Sequence, residues 1–472
     1  MDDYQFYLAG EWRSGRPYTI FCPFDGEPVG SVQRADATDV ERAIAAAAGA
    51  FAQTRRLPAH KRAAILRSIA RQLGEQAEDM ARTIALEAAK PIRQARAEIQ
   101  RSILTFEAAA DEAGRSHDEA LRMDATPGGE GRQGFVRRFP VGPIGAITPF
   151  NFPLNQVAHK LAPAIAAGCP VVLKPAPQAP ITALRLAKII ANTEWPAEAL
   201  SVLPLDVADA APIVDDERLR LLTFTGSVAA GWALKQRAGK KKVTLELGGN
   251  AACVVHLDAD LALAAARCAT GGYSYAGQSC ISVQRIFVHD SVYQTFLDAF
   301  VPLVQDLKIG HPLDEQSDLS ALIDEAAAGR VAGLLDEARK GGAQVLTGGG
   351  FHGRALEPTV LINTAPGMMV NSQEAFAPLV TVQTYTDFDD ALARVNQSAF
   401  GLQAGVFTRD IGRAFQAFET LDVGGVMVND VPTWRLDPMP YGGVKDSGMG
   451  REGLRYAIED MTEPKLLVLN LG

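Results

Sequence analysis

The segment that decides the fold class begins at Pro143 and ends at Phe224. It holds four short apolar runs: Ile144-Gly145-Ala146-Ile147, Val171-Val172-Leu173, Leu200-Ser201-Val202-Leu203 and Leu219-Arg220-Leu221-Leu222-Thr223-Phe224. Helical patterns lie near 154–167, 180–192 and 227–237. Strands that alternate with helices in this way predict a parallel sheet covered by helices. A second alternating run, from Ala251 to about Val428, predicts a second α/β domain.

The chain on either side of this core is organised differently. Residues 5–34 have the pattern of strands and turns, and Thr38 with Glu41 three residues later predicts a capping box at the start of a helix. Helical patterns continue to Ala113. The Gly-rich passage 126–131 and the run 135–140 predict an exposed ribbon, either a surface loop or a strand lent to a neighbouring subunit. The last residues read as a strand.

Composition excludes several classes of protein. The 472 residues include 47% hydrophobic and 21% charged residues, which are values of a globular protein. A formal net charge of −9 disfavours nucleic acid or an anionic membrane as the main partner. The first residues lack the pattern of a signal peptide. The most apolar run, Leu161 to Leu173, has about half the length of a membrane span and contains two prolines.

The cysteines and histidines predict neither a disulfide framework nor a metal site. Five cysteines are scattered without C-x-x-C spacing: Cys22, Cys169, Cys253, Cys268 and Cys280. The seven histidines show no H-E-x-x-H pattern. A reduced, cytoplasmic protein without a metal is therefore expected.

One cysteine stands out by its surroundings. Cys280 ends the run Gly277-Gln278-Ser279-Cys280, between a soft helical pattern and a predicted strand. Small neighbours would let a substrate approach the sulfur closely. This signal is weak alone, because free cysteines are usually buried packing residues.

Two places could hold a phosphate-containing ligand. Thr225-Gly226-Ser227 follows an apolar run and opens a helical pattern that includes Gly231, so free N–H groups and the positive end of the helix dipole meet there. An ordinary turn is the alternative. Lys174 follows a strand at a position where open sheets bind ligands, or is simply solvated. The third place, Gly348 to Gly353, matches G-x-G-x-x-G, but an extended pattern follows it and we predict a loop.

Two polar residues complete a candidate active site. Asn151 lies between two prolines and two aromatic residues, Pro149-Phe150 and Phe152-Pro153, which would hold an amide donor in place for an oxyanion. Glu246 ends an apolar run, where burial would raise its pKa and suit a general base. The alternatives are a turn asparagine and a paired or exposed glutamate.

Together these motifs resemble the aldehyde dehydrogenase superfamily over essentially the whole chain. The resemblance rests on motifs that occur in the family's order: Pro149-Phe150-Asn151-Phe152-Pro153, Lys174-Pro175, Phe224-Thr225-Gly226-Ser227, Glu246-Leu247-Gly248-Gly249, Gly277-Gln278-Ser279-Cys280, Glu374-Ala375-Phe376 and Gly442-Gly443-Val444-Lys445-Asp446-Ser447-Gly448. Lactaldehyde-, glyceraldehyde-, phosphono- and sulfo-aldehyde members are similar around Asn151.

The resemblance implies a mechanism. Cys280 would attack the aldehyde, and the Asn151 amide and the Cys280 N–H would hold the oxyanion. Hydride transfer would leave a thioester, which water activated by Glu246 would hydrolyse. Lys160 matches a lysine of the family's active-site network. A helix terminus or the bound cofactor's charge should favour the thiolate.

The resemblance also implies a nicotinamide cofactor and no metal. It assigns NAD or NADP contacts to Lys174, Gly226, Ser227, Gly231, Gly248, Glu374, Phe376, Pro149 and Phe150. Pro177 replaces a glutamate that binds the ribose in many NAD-specific members, so we expect NADP to be used at least as well as NAD. Ala377 replaces a common turn glycine, which leaves the conformation of that loop open.

The residues around the predicted pocket are polar and suggest a short hydroxylated or anionic aldehyde. The predicted lining is Gln156, His159, Ser279, Ile281, Arg435 and Tyr441, with Trp434 beside it. His159 has an alternative interpretation, in which it faces another subunit or a carboxylate.

The family's architecture implies three units. Residues 1–120 and 141–250 would form a Rossmann-like NAD(P)-binding domain, 251–445 a catalytic α/β domain, and 121–140 with 446–472 a small β element that makes a homodimer or homotetramer. Other interpretations remain: a CoA-acylating dehydrogenase, which typically lacks the glutamate seen at Glu246, a thiol esterase without cofactor, and an inactive binding protein of the same fold.

Overall fold

The computed structural model describes residues 2–115 and 118–472, which form a mixed α/β protein. Its strands are β1 (Asp3–Tyr4), β2 (Phe6–Leu8), β3 (Glu11–Arg13), β4 (Arg16–Phe21), β5 (Pro28–Arg34), β6 (Glu119–Leu121), β7 (Arg132–Pro140), β8 (Ile144–Ile147), β9 (Val171–Lys174), β10 (Leu200–Val202), β11 (Leu221–Thr225), β12 (Lys242–Glu246), β13 (Ala251–Val255), β14 (Val283–His289), β15 (Gln344–Thr347), β16 (Phe351–His352), β17 (Ala355–Leu356), β18 (Thr359–Ile362), β19 (Leu379–Tyr385), β20 (Phe400–Gly401), β21 (Gln403–Phe407), β22 (Gly425–Val428), β23 (Val444–Lys445), β24 (Gly448–Met449) and β25 (Thr462–Asn470).

The helices cover the sheets and connect their strands. They are α1 (Ala37–Thr54), α2 (Ala59–Glu75), α3 (Ala77–Ala88), α4 (Ile92–Ala113), α5 (Asn155–Ala167), α6 (Ile181–Ala191), α7 (Ala211–Asp215), α8 (Val228–Arg237), α9 (Leu261–Tyr273), α10 (Tyr293–Gln305), α11 (Glu325–Lys340), α12 (Met369–Ser372), α13 (Phe388–Asn396), α14 (Ile411–Thr420) and α15 (Leu454–Asp460).

The first sheet has eight strands in the order β24-β12-β11-β8-β9-β10-β2-β3. Its central strands β12, β11, β8, β9 and β10 run parallel. All residues of β9 and β11 are buried, because helices cover both faces of the sheet. The apolar runs between Pro143 and Phe224 are thus the strands of a parallel sheet, as predicted.

The second sheet has seven strands in the order β15-β18-β19-β14-β13-β21-β22. All neighbours in it pair in parallel except β15 with β18. Its core is separate from that of the first sheet and is built largely from α9, α10, α11 and these strands. The prediction of an α/β fold with two parallel sheets is confirmed.

A third, smaller sheet joins distant parts of the chain. β7 pairs antiparallel with β25 from Pro140↔Thr462 to Arg132↔Asn470, and β6 covers the other edge of β7. Almost every residue of β25 is exposed, including Leu466, Leu467 and Val468. The ribbon predicted near 120–140 and the predicted terminal strand are partners in one sheet.

Two local predictions have clear outcomes. The capping box at the first long helix is formed by Asp36 and Asp39, so the prediction of Thr38 with Glu41 was wrong. The Asp36 carboxylate accepts the N–H groups of Thr38 and Asp39, and α1 therefore begins one residue before Thr38. The loop after Gly348 leads into short strands and no helix, as predicted.

The sheets place the candidate residues at one edge. Asn151 lies shortly after β8, Lys174 ends β9, Gly226 follows β11 and Glu246 ends β12. Because these strands run parallel, their carboxyl ends meet at the same edge, where ligands bind in open α/β sheets. No helix of the described residues is long and apolar enough to cross a membrane.

Candidate active site

The thiol of Cys280 lies at the end of a strained turn. Tyr275, Ala276 and Gly277 all have positive φ angles of 52°, 51° and 66°. A Cβ at position 277 would lie 2.1 Å from the carbonyl oxygen of Ala377, so only glycine fits. The sulfur is half-buried, and its Sγ lies 3.0 Å from the hydroxyl oxygen of Tyr441.

The surroundings of this sulfur favour the thiol over the thiolate. Burial raises the pKa of Cys280 to about 12, although the hydrogen bond with Tyr441 acts in the opposite direction. The carboxylates of Glu374 and Glu246 add to the rise. The side chains around Cys280 therefore favour the thiol overall, and stabilisation of the thiolate by a helix terminus or by the bound cofactor stays a prediction.

The Asn151 side chain connects the loop after β8 to the turn that ends at Cys280. It is buried, and its Nδ2 donates a hydrogen bond to the carbonyl oxygen of Gln278 at 3.0 Å. Two donors are left for an oxyanion near the sulfur. They are the second N–H of the Asn151 amide and the backbone N–H of Cys280, which donates no hydrogen bond to any described residue.

The Glu246 carboxylate is buried and has no hydrogen-bond partner at either oxygen within the described chain. Burial and the charge of Glu452 raise its pKa well above the usual value, against the opposing charges of Arg435 and Lys160. A buried carboxyl without partners is costly to maintain. A carboxyl whose pKa is raised in this way suits a general base.

Lys160 belongs to a buried polar cluster beside Glu246. Its Nζ lies 2.7 Å from the Thr225 hydroxyl, 3.2 Å from that of Thr223 and 3.4 Å from Glu452 Oε1. Burial would raise the pKa of Glu452, but the charges of Lys160 and Arg435 outweigh it and lower the value to about 2. Glu452 is therefore a fixed negative charge.

Arg435 links this cluster to Tyr441. Its guanidinium carbon lies 3.6 Å from the centroid of the Tyr441 ring, and Nη2 lies 3.3 Å from Glu452 Oε2. Burial lowers the pKa of Arg435, but Glu452, Tyr441 and Asp437 reverse the effect, so the pKa is raised overall. A full positive charge thus lies one tyrosine ring away from the Cys280 sulfur.

His159 contacts a carboxylate, which was the alternative interpretation of its role. Nε2 lies 3.0 Å from Asp437 Oδ1 and 3.2 Å from Arg435 Nη2. Burial and the charge of Arg435 lower the pKa of His159, so the imidazole is neutral at pH 7. Arg101 also binds Asp437, at 2.8 and 3.0 Å.

The other predicted pocket residues surround the same sulfur or the adjacent helix. Ile281 packs with Leu402, Tyr441 and Cys280. Gln156 is buried in α5, and its Oε1 has no partner among the described residues. The backbone N–H of Ser279 donates to Gly277 and tightens the turn before Cys280.

The residues predicted to bind the cofactor's phosphates form a helix N-terminus at the sheet edge. Gly226 and Ser227 connect β11 to α8, and no side chain caps the first turn of that helix. A Cβ at Gly231 would lie 2.3 Å from Leu247, so the glycine lets α8 pack directly on the strand end. The free N–H groups of this first turn suit a diphosphate.

Lys174 suits the sugar end of the same ligand. It is buried, and its nearest acceptor is the carbonyl oxygen of Pro175 at 3.5 Å. Burial lowers its pKa to about 8, so the ammonium is charged at neutral pH. Pro177 is half-buried three residues further on.

Glu374 lies between the two sheets' strand ends. Its Oε1 accepts the N–H of Gly249 at 2.9 Å, and a Cβ at Gly248 would lie 2.5 Å from Oε2. Burial raises the pKa of Glu374 to about 7. Phe376, with a φ of 48°, holds its ring 6.1 Å from that of Phe150, which follows Pro149. The left-handed residue of this loop is Phe376, and the Ala377 methyl group therefore meets no backbone restriction.

Among the described residues, one group of side chains could hold a metal ion: Cys22, Asp25 and His311. His311 Nδ1 accepts the N–H of Leu313, so the proton lies on Nε2, which donates to Asp25 at 3.1 Å. Hydrogen bonding accounts for this group, and the expectation of a metal-free protein stays a prediction.

Sequence reasoning missed three residues of the site: Arg101, Asp437 and Glu452. Arg101 and Asp437 are separated by 336 positions, and Lys160 and Glu452 by 292. The position of Arg101 inside an apolar helical pattern could have indicated a buried charge. No feature of the sequence indicates that Asp437 is its partner.

Comparison with known proteins shows which family the chain belongs to. The model of the aldehyde dehydrogenase family matches residues 12–467. The chain belongs to the aldehyde dehydrogenase family. It is 41% identical over 470 residues to a 3-sulfolactaldehyde dehydrogenase of Priestia aryabhattai, covering 99% of this chain and 98% of the relative.

Solved structures of the aldehyde dehydrogenase family agree along the whole length. Aldehyde dehydrogenase 21 from Physcomitrella patens, in complex with the reaction product succinate, is 42% identical with a TM-score of 0.98 and coverage of 100% and 99% of the two chains. A glyceraldehyde-3-phosphate dehydrogenase of Methanocaldococcus jannaschii complexed with NADP is 37% identical, with a TM-score of 0.91 and coverage of 96% and 98%. The protein is an NAD(P)-dependent aldehyde dehydrogenase, and the predictions of family, fold and enzyme class are confirmed.

Proposed function

We propose that this enzyme oxidises a short aldehyde that carries a second, anionic group. The observation that carries the proposal is Arg435, whose guanidinium lies on the ring of Tyr441 while the Tyr441 hydroxyl touches the Cys280 sulfur. With His159 neutral, Arg435, Arg101 and Lys160 face the two carboxylates Asp437 and Glu452. The charge of Arg435, which lies on the ring that contacts the Cys280 sulfur through its hydroxyl, favours an anionic group on the substrate.

The named relatives support the same class. Sulfolactaldehyde carries a sulfonate, glyceraldehyde-3-phosphate a phosphate, and the acid succinate a second carboxylate. We assign recognition of the sulfonate, phosphate or carboxylate of the substrate to Arg435, which is linked to the Cys280 sulfur through Tyr441. We assign the walls of the pocket to Gln156, His159, Ser279 and Ile281.

In the proposed mechanism, Cys280 Sγ adds to the aldehyde carbonyl. The Asn151 amide and the Cys280 N–H stabilise the oxyanion. A bound NAD(P) would supply the hydride acceptor, and loss of the hydride from the substrate carbon would leave a thioester on Cys280. Glu246 takes a proton from water, and the resulting hydroxide releases the acid. The charges of Lys160 and Glu452 act in opposite directions on the pKa of Glu246, which Glu452 raises and Lys160 lowers.

The residues at the sheet edge fit a nicotinamide dinucleotide. The first turn of α8, which follows Gly226 and Ser227, offers N–H groups to the diphosphate. Lys174 offers a positive charge to the adenosine ribose, and Glu374 offers an acceptor to the second ribose. Pro177 stands where many NAD-specific members have a glutamate, whose carboxylate would repel a 2′-phosphate. We therefore propose that NADP is used at least as well as NAD. We also propose that the reaction needs no metal.

We also propose a division of labour along the chain. Residues 1–120 and 141–250 form the NAD(P)-binding domain, and 251–445 the catalytic domain. Residues 121–140 and 446–472 form the oligomerisation element, although β24 within the latter adds a strand to the first sheet. The four other cysteines are buried thiols, in keeping with a reduced, cytoplasmic protein.

The apolar strand β25 supports a homodimer or homotetramer. Leu466 and Leu467 are 54% and 56% exposed on opposite faces of the strand. In sedimentation velocity, Leu467→Asp should dissociate the oligomer, while Leu303→Asp on α10, exposed to 39%, should not. A monomeric wild type would refute the assignment of this strand.

The substrate proposal is tested by an aldehyde panel with both cofactors. Succinic semialdehyde, sulfolactaldehyde and glyceraldehyde-3-phosphate are compared with the neutral lactaldehyde and propionaldehyde, following the reduced nicotinamide by absorbance. We expect kcat/KM to be at least about tenfold higher for one anionic aldehyde than for both neutral ones. Equal or higher values for neutral aldehydes would reject an anionic substrate.

A further inference from the structure

A buried lysine that is not one of the proposed reacting groups contacts both the loop that carries Asn151 and the turn that ends at Cys280. Lys90, just after α3, is 1% exposed. Its Nζ lies 3.8 Å from the centroid of the Phe152 ring and 4.3 Å from that of Tyr275. Phe152 directly follows Asn151, and Tyr275 begins the turn that ends at Cys280. An ammonium between two aromatic rings is attracted to both.

The counter-ion of Lys90 fixes the first of these loops. Glu98 in α4 is ion-paired with Lys90 and is equally buried. Its Oε1 accepts the backbone N–H groups of Leu154 at 3.0 Å and Asn155 at 3.1 Å. These are free donors at the start of α5, so Glu98 caps the helix that the Asn151 loop enters.

The second loop is held by Tyr275. Its hydroxyl donates to the carbonyl oxygen of Ala88 at 2.8 Å, close to Lys90 in the chain. Tyr275 and Ala276 occupy the left-handed region, which non-glycine residues adopt only when their surroundings enforce it. The Tyr275 carbonyl accepts the N–H of Gln278, and the Gln278 carbonyl in turn accepts the Asn151 amide at 3.0 Å.

Stability alone gives no reason for a charge at this position. An apolar side chain of similar length would fill the space between the rings, and replacing a buried ion pair by apolar groups is often neutral or stabilising. A cation differs from an apolar side chain in that it attracts both ring faces and the carboxylate at once. Lys90 therefore brings three elements, α4, the Asn151 loop and the Cys280 turn, to one point.

We propose that Lys90 is a positioning residue for aldehyde oxidation: its ammonium clamps the rings of Phe152 and Tyr275 and thereby sets the position of the Asn151 amide relative to the Cys280 sulfur. This inference rests on the proposed roles of Asn151 and Cys280. An oxyanion donor displaced by a fraction of an ångström loses much of its effect, because it must fit the transition state.

The test compares the wild type with the double variant Lys90→Met/Glu98→Gln, in which the amide introduced at position 98 still offers an oxygen to the start of α5. We expect kcat for the best aldehyde to fall by about 10- to 100-fold. KM for the aldehyde and the Kd of NADP, measured by calorimetry, should change less than about threefold, and the Tm should not fall. The single variant Lys90→Arg, which keeps a cation at position 90, should have a higher kcat than the double variant.

A second pair of variants keeps the inference testable if the double variant does not fold. Tyr275→Phe keeps the ring but loses the hydroxyl, whereas Tyr275→Leu loses the ring. The clamp requires kcat to fall further in Tyr275→Leu than in Tyr275→Phe. Unchanged kcat in the double variant, or equal kcat in the two Tyr275 variants, would overturn the inference. A wild type without NAD(P)-dependent aldehyde oxidation would instead refute the enzymatic function itself.

Discussion

The hydroxyl oxygen of Tyr441 lies 3.0 Å from the sulfur of Cys280. This contact joins the predicted nucleophile to the charged cluster, because the guanidinium of Arg435 lies over the same ring. The phenol also lowers the pKa of the thiol, against the larger effect of burial. The reactivity of Cys280 in the free enzyme is therefore set by a balance that mutation and pH can shift.

The first prediction concerns the pH dependence of this thiol. With a pKa of about 12, Cys280 is protonated throughout the neutral range, and thiolate increases about tenfold for each pH unit. Alkylation of the free enzyme by iodoacetamide should rise in this way from pH 7 to 10. Tyr441→Phe removes a hydrogen bond that favours the thiolate and should slow the reaction at each pH.

Cys280→Ser provides the control for alkylation, since the other four cysteines are buried. A rate that reaches a plateau between pH 7 and 8 would show that the free enzyme already holds a thiolate.

A second prediction separates the two half-reactions. Glu246→Gln should leave the formation of the thioester intact but slow its hydrolysis by about 10²- to 10⁴-fold, the usual contribution of a general base. Rapid mixing with excess aldehyde should then show a burst of reduced cofactor equal to one per active site, followed by a slow phase. Loss of the burst together with turnover would contradict the assignment.

The same variant tests the raised pKa of Glu246. A carboxyl whose pKa is higher in the folded state binds its proton more tightly there, so it lowers stability as pH rises above the pKa of the unfolded chain. Glu246→Gln should therefore raise the Tm by roughly 1–3 °C at pH 8, and the difference should shrink towards pH 5. A Tm below that of the wild type at pH 8 would contradict this sign.

The third prediction concerns charge recognition by Arg435. Arg435→Met should lower kcat/KM for an anionic aldehyde by about 10- to 100-fold, which corresponds to loss of a hydrogen bond to a charged group of about 1.5–3 kcal/mol. The value for propionaldehyde should change less than about threefold. Arg96→Met, at an exposed arginine paired with Glu78 and Glu315, serves as the matched control. Equal losses for both aldehydes would assign Arg435 a purely structural role.

The fourth prediction concerns the cofactor. Pro177→Glu introduces a carboxylate at the position where we propose that the ribose binds. It should lower the ratio of kcat/KM with NADP to that with NAD by about tenfold or more, through repulsion of the 2′-phosphate. Binding of 2′,5′-ADP, measured by calorimetry, should weaken in parallel. Pro177→Ala removes the ring without adding charge and should leave the ratio near that of the wild type. A wild type with a strong preference for NAD would refute the proposal before any mutation.

The sequence by itself determined the fold class and the principal candidate residues. The strands between Pro143 and Phe224 are apolar over their full length because both faces of a parallel sheet are covered, and this pattern is local. Asn151, Glu246 and Cys280 each lie at the end of an element within a short motif, so sequence separation does not obscure them. The predicted capping box, Thr38 with Glu41, lies two residues after the observed one, because Asp36 and Asp39 offer the same hydrogen-bonding groups.

Only the tertiary structure decided the electrostatics of the site. Arg101 meets Asp437, Lys160 meets Glu452, and Lys90 meets the rings beside Asn151 and Cys280. These contacts join residues that are tens to hundreds of positions apart, and no local pattern encodes them. Whether a charged side chain is solvated, paired or clamped depends on burial and on its neighbours in space, and those are fixed only when the sheets and helices pack together.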